Sequence, residues 1–218
     1  MRFAAIVFDF DGVIADSEVV ANGVLAEALT GLGWPTTTQE AVDRYIGLHW
    51  ADTAAAIEAR IGRPLPPDFK SGTSAVFQAR LGEVGAVSGV AGFLDRIPDA
   101  PKAVASSSTT RWLRSSLQRF GLAHHFGDRL FSAAEHVSRG KPAPDIYLYA
   151  ARQLAVRPDR VVVIEDTPHG VAAAKAAGMF VVGLCAGGHC GSGYDGRLTA
   201  AGADKVAASF DEVLDLIS

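Results

Sequence analysis

What this 218-residue chain lacks narrows its possibilities first. No apolar run reaches the ~18 residues that a membrane-spanning helix needs. The first strand-like segment carries Asp9 where a signal peptide would keep its apolar stretch. A cytoplasmic protein with no membrane partner is therefore expected. Lys and Arg are scattered, with no basic run to neutralise a line of phosphates, and the formal net charge is −4. No nucleic-acid partner is expected. Cysteine is scarce: Cys185 and Cys190 are the only two, in "LCAGGHCGSGYD". With His189 beside them they do not make up a closed tetrahedral zinc set, and a disulfide would be unusual in the cytosol. They read as reduced thiols in or near a loop, with no role assigned to Cys185, His189 or Cys190.

What is present describes a globular protein: 49% of residues are hydrophobic and 20% charged. Segments 3–10, 102–107, 160–166 and 180–185 are continuous apolar, β-branched runs, the pattern of parallel strands covered on both faces. Helical stretches separate them. In "RWLRSSLQRFG", Leu113, Leu117 and Phe120 fall on one helical face. In "TPHGVAAAKAAG", Thr167 is a candidate N-cap, Pro168 a first helical residue and Gly178 a stop. This alternation predicts an α/β fold with a doubly wound, Rossmann-like parallel sheet. Residues 16–88 break the alternation. Their four segments all read as helical, one opened by a capping box from Thr37 to Glu40. They predict an inserted all-α domain, leaving residues 1–15 and 89–218 as the α/β core.

The polar residues collect where the predicted strands end, which is where doubly wound sheets bind ligands. Strand alternation puts Asp9 and Asp11 of "VFDFDGV" on one side, where two carboxylates repel unless a cation or shared proton intervenes. A solvated Asp-Gly turn is the competing reading. The run Ser106–Thr110 offers hydroxyls and free N–H groups to an anion at a helix start, although a simple N-cap needs only one of them. Lys141 precedes two prolines in "GKPAPDIY", which stiffen the chain around its ammonium group; a surface lysine is the alternative. Glu165 and Asp166 close the third strand. Four carboxylates at one sheet edge require a divalent cation, and oxygen ligands suit Mg²⁺. Metal, anion cradle, lysine and carboxylate nucleophile together make a phosphoryl-transfer site.

At this point the chain resembles the haloacid dehalogenase-like hydrolase superfamily. The branch it is most similar to contains β-phosphoglucomutases and phosphoglycolate phosphatases, with a helical cap inserted after the first motif. "DFDGVIADSE", "ASSS", "GKPAPDIY" and "IEDTPHGVAAAKAAGM" occur in the family's order. The resemblance implies an aspartyl-phosphate mechanism. Asp9 would be the nucleophile and Asp11 the general acid, then base. Gly12, Ser106, Ser107 and Lys141 would bind the phosphoryl group. Asp9, Asp11 (through its backbone carbonyl), Glu165 and Asp166 would hold Mg²⁺, and cap closure would exclude water. Gly47, His49 and Trp50 are weak candidates for substrate selectivity, with helix packing the alternative for Trp50.

The presence of Asp11, Glu165 and Asp166 disfavours metal-free dehalogenation. In β-phosphoglucomutases a histidine ten positions beyond the acid/base Asp couples cap closure to catalysis; here that position is Ala21. Hydrolysis of a small phosphorylated metabolite, a sugar phosphate above all, is therefore expected, by a monomer or weak homodimer. A phosphomutase is the alternative, and a non-catalytic phosphoacceptor or binding protein a further one.

Overall fold

In the computed structural model, residues 2–46, 48, 50–97 and 100–218 are described. In chain order the elements are β1 (Ala5–Phe8), α1 (Ser17–Gly31), α2 (Thr38–Tyr45), α3 (Trp50–Ile61), α4 (Phe69–Ala79) and α5 (Val90–Arg96). There follow β2 (Lys102–Ser106), α6 (Thr110–Arg119), α7 (Ala123–Phe126), β3 (Leu130–Ser132), α8 (Ala133–His136) and α9 (Asp145–Gln153). The chain closes with β4 (Val161–Glu165), α10 (Pro168–Ala176), β5 (Phe180–Leu184), α11 (Tyr194–Ala200), β6 (Lys205–Ala207) and α12 (Phe210–Ile217).

The chain folds as two compact units, residues 1–15 with 86–218, and Asp16–Gly85. In the first unit six strands form one parallel sheet in the order β3-β2-β1-β4-β5-β6. The chain therefore moves outward from β1 in one direction through β2 and β3, then restarts on its other side at β4. That reversal creates a crevice at the carboxyl ends of β1 and β4, the place where such sheets bind ligands. Every residue of β1, β2 and β4 is buried, which accounts for their unbroken apolar sequences. On one side of β1, Phe8 meets the rings of Phe93 and Phe126 edge-on, with centroids 6.1 and 5.6 Å away.

Two expectations are corrected. First, β1 ends at Phe8 rather than Phe10. The Phe10 carbonyl accepts from the N–H groups of Val13, Ile14 and Ala15, which turns the chain, so strand alternation does not place Asp11. Second, β3 and β6 were not foreseen, because three residues apiece are too few to show a period.

The helical unit has its own core. Leu25, Leu29, Tyr45, Ile57, Ile61 and Phe69 bury against one another across α1 to α4. Its capping box forms as expected: Thr37 Oγ1 accepts from Glu40 N, and Glu40 Oε2 accepts from Thr37 N. The unit's two ends meet where Asp16 N donates to Gly85 O at 2.9 Å. Among the described residues, no helix is long and apolar enough to cross a membrane.

Candidate active site

The loop after β1, the carboxyl end of β4 and the segment before α9 bring three expected residues into contact. Lys141 Nζ donates to Asp9 Oδ1 and to Glu165 Oε1, both at 2.7 Å. All three side chains are buried. Burial is the largest influence on Asp9 and holds its carboxyl well above the usual range. Lys141 opposes this, while Glu165 and Asp166 reinforce it. Burial works against the Lys141 ammonium, but the Asp9 and Glu165 carboxylates outweigh it and Lys141 titrates well above the ordinary lysine range. Lys141 thus stays cationic at any physiological pH.

Glu165 is saturated with donors. Oε1 also accepts from Tyr147 Oη at 3.0 Å, and Oε2 accepts from Thr167 N at 2.7 Å and Thr167 Oγ1 at 3.0 Å. Burial first, then Glu165, raises the Tyr147 phenol well above its ordinary range, so it remains a donor. Thr167 also caps α10, accepting from Gly170 N at 3.1 Å, which fixes the start of that helix beside the acids.

Asp166 is fully buried next to this cluster, and ligand oxygens of Asp9, Glu165 and Asp166 lie within 4.8 Å of one another. Three buried carboxylates against one ammonium leave excess negative charge in a low-dielectric setting, which is costly without a cation. The donor set is all oxygen, the chemistry that a hard divalent ion such as Mg²⁺ prefers. The space beside Asp166 is kept open by Gly12, whose φ is +81° and whose hypothetical Cβ would lie 1.8 Å from Asp166 Oδ2. Any side chain there would be strained and would collide with that carboxylate. The residues present fit a divalent cation.

Asp11 is held by different partners. Ser108 Oγ donates to its Oδ2 at 2.6 Å and Trp112 Nε1 to its Oδ1 at 3.1 Å. The Trp112 ring in turn packs edge-on against Phe10, at 6.2 Å and 87°. Ser106, at the end of β2, is buried, and its Oγ accepts from Ser108 N at 3.0 Å. Ser107 is exposed. Of the hydroxyl run it is therefore Ser108, not singled out in advance, that touches a catalytic candidate.

Tyr147, Trp112 and His189 were likewise missed. The first two sit near recognised motifs without any local period to mark them. His189 is buried with Nε2 3.1 Å from Asp166 Oδ2. Its place in a glycine-rich loop without periodicity gave no signal in the sequence.

Among the selectivity candidates, Gly47 and His49 lie outside the described residues. Trp50 stacks on Phe69 at 6.2 Å and has Lys70 Nζ over its ring, so it is engaged within the helical unit's own packing. Ala21 lies on α1.

Comparison with known proteins fits this geometry. The family model described as haloacid dehalogenase-like hydrolase matches residues 6–184. The chain is 32% identical over 182 residues to the fructose-1-phosphate phosphatase YqaB of Escherichia coli K12, covering 83% of this chain and 96% of that one. A conserved haloacid dehalogenase-like protein of unknown function from Agrobacterium tumefaciens superposes with a TM-score of 0.92 at 35% identity, over 99% of this chain and 97% of that one. A HAD-family hydrolase from Deinococcus radiodurans, solved with bound phosphate and sodium, gives a TM-score of 0.85 at 33% identity over 97% and 93%. Fold, strand-end acids and sequence agree that the chain belongs to the haloacid dehalogenase-like hydrolases.

Proposed function

We propose that the protein is a Mg²⁺-dependent phosphatase that hydrolyses a small phosphorylated metabolite, of the sugar phosphate class, through an aspartyl-phosphate. The observation that carries this reading is the buried contact of Lys141 with both Asp9 and Glu165 beside Asp166. It leaves a carboxylate nucleophile, a fixed cation and an oxygen-rich metal site at the crevice of the sheet. The similarity to a fructose-1-phosphate phosphatase supports the substrate class. The helical unit, residues 16–85, is assigned as the cap domain, three residues shorter than the 16–88 expected from sequence, and residues 1–15 and 86–218 as the unit carrying the chemistry.

In this reading Asp9 attacks phosphorus and becomes phosphorylated. Lys141 offsets charge on the incoming phosphoryl oxygens. Ser106, Ser107 and the N–H groups beside Gly12 and at the start of α6 bind that group. Asp11, released from or sharing its contacts with Ser108 and Trp112, gives a proton to the leaving alcohol. It then takes one from the water that attacks phosphorus, which breaks the bond to the Asp9 oxygen, releases inorganic phosphate and restores the Asp9 carboxylate. Asp9, Asp166 and the Asp11 carbonyl would hold Mg²⁺. Glu165, committed to Lys141, Tyr147 and Thr167, would add charge to the site more than a free ligand oxygen. The cation supplies electrostatic stabilisation of the phosphoryl oxygens, the dominant need of a loose, charge-rich transition state.

The test is phosphate release from a panel of phosphorylated sugars and other metabolites, with and without Mg²⁺. Activity that needs Mg²⁺ and disappears in Asp9→Asn supports the proposal. Absence of release across the panel, or an active Asp9→Asn variant, overturns it. Conversion of β-glucose 1-phosphate to glucose 6-phosphate without free phosphate would instead indicate a mutase.

A further inference from the structure

The loop after β5 enters the candidate site, although its sequence carries none of the recognised phosphoryl-transfer residues. His189 is 1% exposed there, and its Nε2 lies 3.1 Å from Asp166 Oδ2. The ring is held from several sides. Tyr194, itself buried, meets it edge-on with centroids 5.3 Å apart and planes at 82°. A Cβ on Gly187 would lie 2.6 Å from His189 Nδ1 and 3.0 Å from the Gly12 carbonyl oxygen. A Cβ on Gly12 would come within 2.9 Å of His189 Cε1. Glycine at both positions lets the imidazole wedge between the loop after β1 and the end of β4. Cys190 Sγ is 3.3 Å from the same Nε2, and its own proton has the Leu184 carbonyl oxygen as acceptor at 4.0 Å. Nε2 therefore lies between the Cys190 sulfur and the Asp166 carboxylate, with the carboxylate oxygen the nearer.

We propose that His189 is a positioning residue for the cation site: its Nε2–H, 3.1 Å from Asp166 Oδ2, becomes the donor that fixes the orientation in which Asp166 presents its carboxylate to the metal. The proposal rests on the reading of Asp166 as a cation ligand. Hydrogen-bond partners of ligating carboxylates set ligand geometry, and their loss costs about 10–100-fold in metal affinity.

The experiment is calorimetric titration of purified protein with Mg²⁺ at one fixed pH, for wild type, His189→Gln and His189→Leu, with thermal unfolding in chelator as a second readout. Gln can place an amide N–H near the position of Nε2; Leu fills space without a donor. The expected result is that His189→Leu binds Mg²⁺ about 10–100-fold more weakly while its melting point in chelator stays near wild type, and that His189→Gln recovers most of the affinity. If His189→Leu fails to fold, His189→Asn, whose shorter amide falls short of Asp166, takes its place in the comparison. Affinity unchanged in the donor-lacking variant, or not recovered in His189→Gln, overturns the role of His189 and leaves the phosphatase reading standing. A wild type that binds no Mg²⁺ overturns both.

Discussion

Lys141 and Asp9 form a buried ion pair, with Nζ 2.7 Å from Oδ1 and the two side chains only 7% and 9% exposed. The pair joins the segment before α9 to the loop after β1, across 132 residues of sequence. It also sets the site's charge balance, because Lys141 is the cation shared between Asp9 and Glu165.

Removing that cation leaves two buried carboxylates without their main partner. Loss of one member of a buried pair costs about 3–5 kcal/mol. Here the cost is reduced because Asp9 can retain its proton. At about 2–4 °C per kcal/mol for a chain of this size, Lys141→Ala should melt several degrees below wild type in differential scanning calorimetry. It should also lose phosphatase activity. An unchanged melting point would contradict the burial argument.

Asp11 depends on two donors for its orientation. Trp112→Phe keeps the ring against Phe10 but deletes the N–H that reaches Oδ1. A hydrogen bond to a charged group contributes about 1.5–3 kcal/mol, so kcat should fall about tenfold or more with KM for Mg²⁺ unchanged. Asp11→Asn should lose the larger factor of about 10²–10⁴ expected of a positioned acid/base. Steady-state kinetics would refute the positioning role if Trp112→Phe matched wild type.

The raised Asp9 carboxyl makes a pH prediction. The folded protein keeps a proton on Asp9 to a higher pH than the unfolded chain, whose aspartates titrate near 4. That contribution favours folding at acidic pH and is lost as pH rises through the raised value. A divalent cation binds the ionised form and should restore stability where it was lost. The rise in melting temperature caused by Mg²⁺ should therefore be larger at about pH 7.5 than at about pH 5. Equal rises at both would count against Asp9 as a ligand.

The two thiols should differ in reactivity. The interaction between the two sulfurs holds the Cys185 thiol below its ordinary range despite burial, and the same interaction together with burial pushes that of Cys190 up. Thiolate is the nucleophile, so iodoacetamide should alkylate Cys185 first, as read by peptide mass spectrometry over time. Faster labelling of Cys190 would contradict that order of acidity.

The sequence was most legible where structure is local or fully buried. β1, β2, β4 and β5 declare themselves because helices cover both faces and every position can be apolar. The box from Thr37 to Glu40 needs only three residues of separation. Asp9, Lys141, Glu165 and Asp166 stand at strand ends or in a proline-stiffened loop, where chemistry-bearing residue types are conspicuous. Trp112 was not legible as a site residue, because its contact with Asp11 bridges 101 positions and its spacing on α6 looks like ordinary helix surface. Tyr147 reads as a core aromatic of α9 until its hydroxyl is found on Glu165. His189 falls in a glycine-rich loop with no periodicity, and only the fold brings that loop to Asp166.

The central claim is that Asp9 carries the phosphoryl group. Acid quench during turnover of a sugar phosphate, followed by borohydride reduction and peptide mass spectrometry, reads this directly, because borohydride reduces an acyl phosphate to an alcohol. The account predicts reduction at position 9 that requires both substrate and Mg²⁺. Turnover of substrate with Asp9 unreduced throughout would contradict it.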